Sequence, residues 1–538
     1  MNPDHRATGA LPFARRAFLL AFALAVTVPV ALWSATASAQ LRSRPSSSST
    51  PVLAHPTLRW ADTLDNETEY EIEVATDPEF AGVIDRDLIT LVPRYIPSAV
   101  LPSGRYWWRV RSRVSREAAS GVWHRAGHFE VAEPSRVFSI TAGSDLVAIH
   151  GALNAAAATP GSVVRFEPGE YVIAPGRGRA LLEITDARSV TVEAAGARFT
   201  FAARGSIARI RGSTGVLIHG LEADFDPLPF SGGEITTIDA AAGTFDIELL
   251  PGHPSPTDDP LISQHGIGML ADLDIPGVAR GSPVVLRTRT GWESLGGRRY
   301  RVALVDEADT RYLHAGLVYI DSPRAGDAGF DLADSSDVTL SSVTTYAIAG
   351  IGVSSHYVDD LKLMNVRFLR RDGRVLGVQN GGTNLHNGRE GPWVEGCVFE
   401  NTGDDNNHIN ALVMHATDQP TPDSVVVPRR QFYHVAAPDD LGLRIGDRLM
   451  FFYREPVARQ LGVRRVTAIT PTTASGVPCL RLTLDAPLDA FEHADIQKWN
   501  NPDIDRLGRD EVQIYNLDQS SPGYVFRDNR FSGGRRIG

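Results

Sequence analysis

Charged residues follow three phenylalanines in the carboxyl-terminal part of this chain at nearly the same offsets. The phenylalanines are Phe368, Phe399 and Phe531, and each lies in a short run of alternating apolar and polar residues. The charged residues that follow them within six positions include Asp372, Asp404, Asp405, Arg535 and Arg536. If the three runs stack in register, we expect these carboxylates and arginines to lie on one turn of three adjacent layers.

Grouped carboxyl groups can divide acid–base chemistry between them. In the cleavage of a glycosidic bond, one carboxyl protonates the leaving oxygen and another activates water or attacks the carbon. Repulsion between neighbouring carboxylates keeps one of them protonated near neutral pH. We therefore predict Asp404, Asp405 and Asp372 as catalytic residues. The structural alternative is that an Asp-Asp pair in a turn only bonds backbone amides.

Polar residues near the acidic pair are candidates for binding the hydroxyl groups of a substrate. For this role we predict Asn384, His386, His408 and Arg536. We assign no metal and no other cofactor to the cluster. The predicted partner is therefore an oligosaccharide or a polysaccharide.

The elements that must position these residues are short and recurrent. Val190 and Val216 hold equivalent positions 26 residues apart, and Val338 and Leu361 hold equivalent positions 23 residues apart. Such a period of β-rich segments indicates a solenoid whose coils stack about 4.8 Å apart. Valine, isoleucine and phenylalanine alternate with serine, threonine and aspartate, without the fixed leucines of leucine-rich repeats. The predicted fold class is all-β, with a right-handed parallel β-helix.

Two β-rich stretches interrupt the repeat of this solenoid, which we assign to residues 135–538. They span residues 227–328 and 412–515. A structureless loop of that length is implausible within a compact domain, so we expect each stretch to form a small β-barrel. Near the start of the solenoid, residues 145–158 are predicted to form a short helix. No sequence after Phe531 resembles a cap, so we expect further chain or a partner to cover the last coil.

Residues 1–39 have the features of an export signal. Two arginines precede an apolar run from Ala17 to Trp33, and Ala37-Ser38-Ala39 supplies the small residues of a cleavage site. The paired arginines also resemble a twin-arginine signal, which exports folded proteins. We expect cleavage before Gln40 and a location in the periplasm or outside the cell. No other stretch is apolar enough to span a bilayer.

A serine-rich linker at 40–50 precedes a run of short alternating strands in residues 51–133. Aromatic residues recur along this run, from Trp60 to Trp123. The spacing favours a β-sandwich, and the pattern resembles a fibronectin type III domain. Such a module usually positions a neighbouring domain or binds a partner, and we find no catalytic constellation in it.

The overall charge and the cysteine content exclude some classes of protein. The formal net charge is −11 and the pI is about 5.8, so a nucleic acid is an unsuitable partner. Cys397 and Cys479 are the only cysteines. Stability therefore cannot depend on a disulfide framework, and we expect buried free thiols.

The sequence from Cys397 to His408, Cys-Val-Phe-Glu-Asn-Thr-Gly-Asp-Asp-Asn-Asn-His, resembles a motif of the β-helix α-1,3-galactosidases of glycoside hydrolase family 110. The resemblance implies an inverting, exo-acting hydrolase with Asp404 and Asp405 in its active centre. It also implies a β-helix interrupted by small barrels. Asn384 stands where that family has an aspartate, and Asp372 would have to supply the missing carboxylate. The Gly-Asp-Asp of this motif is also similar to the acidic motif of polygalacturonases, which have the same fold.

Two other functions are compatible with the same residues. A polysaccharide lyase on this fold uses Ca²⁺ or a basic residue to neutralise a uronate, and Arg370 and Arg371 lie close to the carboxylates in sequence. A non-catalytic carbohydrate-binding or adhesive solenoid would need no acid–base pair. Sensitivity to a chelator separates the lyase from the hydrolase. Loss of turnover without loss of binding on changing Asp405 separates an enzyme from a binding protein.

Overall fold

The computed structural model of this chain describes residues from His55 to Gly534 with internal gaps. The described ranges are 55–60, 69–90, 92–113, 122–272, 279, 283, 285–321, 326–371, 373–411, 413–429, 441–453, 459–491 and 512–534. They all belong to one unit of the chain, residues 41–538. The predicted signal at 1–39 and the linker at 40–50 lie outside the described residues.

The amino-terminal strands form two antiparallel sheets. The strands are β1 (Leu58–Arg59), β2 (Glu69–Ala75), β3 (Val83–Thr90), β4 (Arg94–Tyr95), β5 (Gly104–Arg113) and β6 (His124–Val131). One sheet has the order β3-β2-β5-β6, and β1 pairs with β4. Alternate residues of β2, such as Tyr70 and Ile72, are buried against Trp60 and Trp108. We call this unit the sandwich; its resemblance to fibronectin type III domains stays a prediction.

The solenoid begins directly after the sandwich. Its first elements are β7 (Val137–Ile140), α1 (Leu146–Ala157), β8 (Val163–Phe166), β9 (Gly169–Ile173), β10 (Ala180–Thr185), β11 (Arg188–Glu193), β12 (Ala197–Phe201), β13 (Ser206–Arg211), β14 (Thr214–His219) and β15 (Glu222–Phe225). Helix α1 confirms the short helix expected here. The Asp145 side chain caps it by accepting a hydrogen bond from the Ala148 backbone N–H at 2.9 Å. Ile149 and Leu153 of α1 cover the apolar interior of the first coils.

The first insertion is a small antiparallel barrel. It consists of β16 (Ser231–Asp239), β17 (Thr244–Leu249), β18 (Ile267–Ala271), β19 (Leu286–Arg287), β20 (Glu293–Gly296), β21 (Arg299–Ala303), a 3-10 helix (Glu307–Tyr312) and β22 (Val318–Asp321). The strand order is β19-β18-β22-β16-β17-β21-β20. A bridge between Thr288 and Leu304 joins the extension of β19 to that of β21, which closes the barrel.

The solenoid then resumes and is interrupted once more. Its middle strands are β23 (Phe330–Ser341), β24 (Thr344–Tyr346), β25 (Val353–Met364), β26 (Arg367–Leu369), β27 (Thr383–His386), β28 (Trp393–Glu395), β29 (Val398–Glu400) and β30 (Asn407–Asn410). The second insertion contains β31 (Met414–His415), β32 (Asp418–Thr421), β33 (Ser424–Pro428), β34 (Arg448–Tyr453), β35 (Arg459–Ala474), β36 (Val477–Leu484), β37 (Val512–Asn516) and a 3-10 helix (Leu517–Gln519). The last described strands are β38 (Val525–Arg527) and β39 (Arg530–Ser532).

The second insertion is also a barrel. Its strand order is β31-β37-β34-β35-β36-β33-β32, and all of these pairs are antiparallel. Only Ala416 and Thr417 separate β31 from β32, so the two ends of the strand order are adjacent in the chain. The Thr417 backbone N–H donates to the Val426 carbonyl of β33 at 2.8 Å, which extends the pairing of β32 with β33 toward β31.

The solenoid strands stack into three parallel sheets, one strand from each coil. Sheet A contains β7, β8, β11, β14, the second halves of β23 and β25, β28 and β38. Sheet B contains β9, β12, β15, β24, β26, β29 and β39. Sheet C contains β10, β13, the first halves of β23 and β25, β27 and β30. This arrangement confirms the predicted right-handed parallel β-helix with two barrel-like insertions.

The interior of the solenoid is a column of stacked apolar side chains. Phe368 pairs with Phe399, and Phe399 pairs with Phe531, as the repeat predicts. Their ring centroids are 5.4 Å and 5.1 Å apart. Cys397 is fully buried in the same column as a free thiol, and Cys479 is a buried free thiol in the second insertion. Each coil buries its inner face only against its neighbours.

The sandwich is docked on the outer face of sheet A. Met364 and Trp393 of sheet A are fully buried within the apolar core of the sandwich, where Tyr95 packs edge-on against the Trp393 ring. Beside them Lys362 is completely buried and forms ion pairs with Asp337 and Asp360. Burial alone would lower the pKa of Lys362, but the two carboxylates outweigh it and raise the pKa above its usual value.

Arginines of the sandwich complete this buried ionic cluster. Arg59 lies 2.9 Å from Asp360, and Arg94 lies 2.8 Å from Glu390. Arg94 also donates to the backbone carbonyls of Gly391 and Gly523, each at 2.7 Å. The charges of the solenoid at this face are therefore neutralised partly by the sandwich. Among the described residues, no helix is long and apolar enough to cross a membrane.

Candidate functional site

The outer face of sheet C has two continuous rows of mostly polar side chains. Successive side chains of a strand point to opposite faces of the sheet, so every second residue points away from the apolar interior. The first row contains Glu183, Arg209, Asp331, Ser354, Asn384 and His408, and the second contains Thr185, Arg211, Ala333, His356, His386 and Asn410. Intervening residues such as Ile210 and Leu332 are fully buried. We call the two rows the polar floor.

Three histidines of the polar floor are in contact. His356 and His386 stack with ring centroids 4.8 Å apart, and His408 meets His386 edge-on at 5.5 Å. His386 Nδ1 is hydrogen-bonded to the side-chain oxygen of Asn410, and His356 Nε2 lies 3.3 Å from the Ser354 hydroxyl. These contacts hold the rings in fixed orientations on the floor.

Two of these histidines are neutral at physiological pH. Burial, with a smaller contribution from neighbouring His386, lowers the pKa of His356 to about 3. Burial also lowers the pKa of His386, although its bond to Asn410 opposes the shift. Neutral imidazoles and amides both donate and accept hydrogen bonds. This part of the floor therefore suits hydroxyl groups better than it suits anions.

Charged residues occupy the amino-terminal end of the floor. Arg209 and Arg211 both bind the Asp331 carboxylate, and Arg209 also contacts Glu183 at 3.4 Å. The Arg211 guanidinium additionally donates to the Asp331 backbone carbonyl at 2.7 Å. Two arginines face two carboxylates here, so this end of the floor is rigid and electrically balanced.

The acidic pair lies in the turn that enters sheet C. We call residues 401–406 the acidic turn; it joins β29 of sheet B to β30 of sheet C. Its start is fixed by Asn401, whose side-chain amide donates to the Val375 carbonyl at 2.8 Å, and by Thr402, which bridges to Val378 of the preceding coil. The Thr402 hydroxyl contacts the Asn406 side-chain oxygen at 2.8 Å across the turn.

Two glycines, Gly382 of the preceding coil and Gly403 of the turn itself, let the acidic turn pack closely. The Gly382 backbone N–H donates to the Asp405 carbonyl, and the Gly403 N–H donates to the Val378 carbonyl, each at 2.9 Å. A Cβ on Gly382 would lie 2.4 Å from the Asn406 carbonyl oxygen, and one on Gly403 would lie 2.1 Å from the Gln379 oxygen. Only glycine fits at these two positions without moving the backbone.

Asp404 and Asp405 are both half-buried at the edge of the polar floor. Asp405 precedes His408 of the floor by three residues, which is about 10 Å along an extended strand. The turn stacks on Asn380 and Gly381 of the preceding coil. The turn therefore lies directly before His408 in the chain and beside the segment that leads to Asn384 and His386, and the roles of these residues stay predictions.

The two insertions contact opposite edges of sheet C. Met269 of the first insertion packs beside Gly403, and the Gln379 amide donates to the carbonyl of Pro229 at 3.4 Å. On the other edge Arg389, just after β27, binds Asp447 of the second insertion at 2.7 Å. The polar floor is consequently flanked by one barrel at the edge where its strands begin and by the other where they end.

Two predicted site residues, Asp372 and Arg536, lie outside the described residues. Next to the former, Arg371 and Arg374 bind Asp224 of sheet B. Eight residues separate β26 from the bridge at Val378, whereas one residue separates β29 from the bridge at Thr402. Offsets counted from Phe368 and Phe399 therefore do not identify equivalent turn positions, because the earlier coil carries extra residues.

Sequence reasoning missed several residues of the polar floor. Ser354, His356 and Asp331 belong to strands recognised only for their apolar repeat. A usable signal was present, because three successive coils carry the pattern polar-any-polar: Ser354 and His356, Asn384 and His386, His408 and Asn410. Such a pattern on adjacent coils places six polar side chains on one outer face.

A cavity in the described part of the chain lies away from this site. In the described part of the chain, no three His, Cys, Asp or Glu side chains are grouped as metal ligands would be. A cavity of about 620 Å³ lies between the sandwich and sheet A, lined among others by Leu101, Val163 and His219. It is on a different face of the solenoid from the acidic turn.

Comparison with known proteins gives a likeness to solved structures and no match in sequence. No protein-family model matches the sequence, and no curated protein matches it. The solved structure of the family 28 exopolygalacturonase of Yersinia enterocolitica is 11% identical, and its alignment covers 65% of this chain and 68% of that chain, with a TM-score of 0.31. The β-helix assignment rests on the strand pairing described above.

Proposed function

We propose that this protein is a carbohydrate-active hydrolase that cleaves glycosidic bonds at the acidic turn. The observation that carries the proposal is the polar floor with Asp404 and Asp405 at its edge. A row of neutral hydrogen-bonding side chains beside a carboxylate pair provides both functions that glycoside cleavage needs, namely binding of hydroxyls and acid–base chemistry. The flanking insertions would confine a glycan to this face.

In the proposed reaction one carboxylate of the pair removes a proton from water as the water attacks the anomeric carbon. A second carboxylic acid donates its proton to the glycosidic oxygen as the bond between that oxygen and the carbon breaks. We assign the base to Asp404 or Asp405, and the acid to the other of the two or to Asp372. This is the inverting course, which requires roughly 6.5–9.5 Å between the two carboxyl groups.

The polar floor supports a neutral sugar as substrate. Asn384 and His386 offer donors and acceptors without net charge, which matches the hydroxyls of a hexose, and His408 lies beside them on the floor. An α-linked galactose at a chain end is the substrate class that we propose, from the resemblance of the acidic motif. Arg536 is retained as a proposed substrate-binding residue.

The test is substitution of each carboxylate in turn. Asp404→Asn and Asp405→Asn should fold normally, and the change at an essential carboxylate should lower kcat/KM about 10²-fold or more. Asp418→Asn, at an exposed position of the second insertion, is the control. Release of sugar from α-galactosides is measured by NMR, which also reports the anomer formed first. Full activity in Asp405→Asn and Asp404→Asn would refute the proposal, and an unsaturated product would assign a lyase.

We further propose that the enzyme is exported before it meets its substrate. The apolar run from Ala17 to Trp33 and the small residues at 37–39 support this proposal. Protein isolated from its native host should begin near Gln40. Amino-terminal sequencing that finds Met1 retained would contradict it.

A further inference from the structure

A second cavity lies at the corner where the coils pass from sheet C to sheet A. Its volume is about 330 Å³. Tyr357 and Asn387 line it on the solenoid side, and Arg444 and Gln519 line it on the side of the second insertion. Tyr357 and Asn387 directly follow His356 and His386, so this corner cavity adjoins the polar floor at the edge opposite the acidic turn.

The backbone at Tyr357 has an unusual conformation for its residue type. The corresponding corner positions on other coils are Asp186, Gly212, Asp334 and Asn387, and these residues and Tyr357 all have φ between 49° and 59°. Glycine, asparagine and aspartate adopt this left-handed region readily, whereas a tyrosine does so at a cost. Strain of this kind is typical of ligand sites, where a particular side chain is needed.

The second insertion holds the Tyr357 ring against the cavity. A Cβ on Gly442 would lie 2.9 Å from Cδ1 of Tyr357 and 2.6 Å from the amide nitrogen of Gln519. Gln519 is itself fixed, because its amide donates to the Gly442 carbonyl at 2.5 Å. The backbone of the insertion thus packs on the ring at a distance that only glycine permits.

The lining of the corner cavity is polar but electrically balanced. Asp334 and Asp359 face Arg389 and Arg444. The Arg389 guanidinium is occupied by Asp447, and the Asp359 carboxylate accepts the Arg389 backbone N–H at 2.6 Å. Besides these ion pairs, the lining contains hydroxyl, amide and aromatic groups, among them those of Ser335, Gln519 and Tyr357. That chemistry suits a neutral polyhydroxylated ring.

We infer that the corner cavity binds a neutral sugar unit of the same glycan that is cleaved at the acidic turn. The class of ligand rests on the proposed function, whereas the site itself rests on the cavity and on Tyr357. Asp405 stacks on Gly381, and Asn387 of the corner cavity lies six residues after Gly381 along the same coil. This is about 20 Å of extended chain. The glycan would therefore cross sheet C along its strands, from one barrel to the other.

The experiment measures binding to a variant that is expected not to cleave the ligand. In the Asp405→Asn background, α-galactosyl oligosaccharides from disaccharide to hexasaccharide are titrated calorimetrically. Tyr357→Gly keeps the left-handed backbone and removes the ring, so the dissociation constant for the hexasaccharide should rise about tenfold. Arg444→Gln changes an exposed side chain of the cavity and should weaken binding in the same direction. Asp186→Gly, at the equivalent corner outside the cavity, should leave binding unchanged.

The outcomes separate this inference from the proposed function. If Asp405→Asn loses turnover while Tyr357→Gly and Arg444→Gln bind the ligand unchanged, the corner cavity is not a sugar site. The proposed hydrolase function is then still supported. Weaker binding in Tyr357→Gly, with full turnover in Asp404→Asn and Asp405→Asn, supports the corner cavity and overturns the proposal that cleavage occurs at the acidic turn. Tighter binding of oligogalacturonates than of galactosyl oligosaccharides overturns the assignment to a neutral sugar.

Discussion

The close packing of the acidic turn predicts a graded response to three alanine substitutions. Real Cβ atoms essentially never lie closer than 3.0 Å to another heavy atom of this kind. Gly403→Ala, with a Cβ at 2.1 Å from the Gln379 oxygen, must move the turn or its neighbour by about 0.9 Å, the difference between the two distances. Gly382→Ala, at 2.4 Å from the Asn406 oxygen, needs about 0.6 Å, whereas Gly381→Ala, at 3.1 Å from the Asn384 side-chain oxygen, needs only a few tenths of an ångström.

These displacements act on the residues that we assign to chemistry. A shift of about 1 Å in reacting groups can lower a rate about 10²-fold, and overpacking destabilises a fold by about 1–3 kcal/mol. We expect kcat/KM to fall strongly in Gly403→Ala, less in Gly382→Ala and little in Gly381→Ala. Activity on an α-galactoside and the midpoint of urea unfolding are measured for each purified variant.

A matched control separates loss of activity from loss of fold. A Cβ on Gly391 would lie 2.4 Å from the Ser521 carbonyl oxygen, the same distance as the clash at Gly382, but far from the acidic turn in the coil. Gly391→Ala should lose similar stability and keep its activity per folded molecule. If Gly403→Ala and Gly391→Ala lose activity equally, or if Gly403→Ala loses none, the acidic turn is not the reaction centre.

Three further predictions concern stability and reactivity. Asp360→Asn should lower the free energy of unfolding by about 3 kcal/mol, because buried Lys362 loses one of its two carboxylate partners. Unchanged urea unfolding would contradict the stabilising role of this ionic cluster. Burial lowers the pKa of His55 from 6.5 to about 4, so the unfolded chain binds more protons than the folded protein between pH 4 and pH 6.5. The free energy of unfolding should therefore rise with pH over this interval, by up to about 1.4 kcal/mol per pH unit. His55→Gln should reduce this slope when urea unfolding is measured at several pH values. Burial raises the pKa of the Cys397 thiol to about 12, so a thiol-specific chromogenic reagent should label it only after unfolding; rapid labelling of the native protein would refute its burial.

The repeat of the solenoid was predictable because it follows from local alternation. Phe368, Phe399 and Phe531 were placed in one column by sequence alone, since each coil must repeat the same inward position to bury its neighbour. The outer face was harder to predict. Its side chains have no packing requirement that repeats, so Ser354 and His356 left only a weak polar pattern.

Contacts between distant parts of the chain were not predictable. The docking of the sandwich depends on pairs such as Arg59 with Glu390, which are 331 residues apart. Nothing in either local sequence indicates the other, because a surface arginine and a surface glutamate are common anywhere. For the same reason nothing in the sequence predicts that Lys362 and Trp393 are buried beneath the sandwich.

The docking of the sandwich has a consequence for the order of folding. The sandwich is synthesised first, yet it packs on Trp393 and Val525, and its Asp87 pairs with Arg527 of the last described coil. Local coil stacking can spread along the solenoid, but these contacts form only when strands near both ends are in place. They join the early and late parts of the chain, so loss of the last coil should also release the first domain. A solenoid would otherwise fray from its end, whereas here we expect the sandwich to hold the last described coil in place.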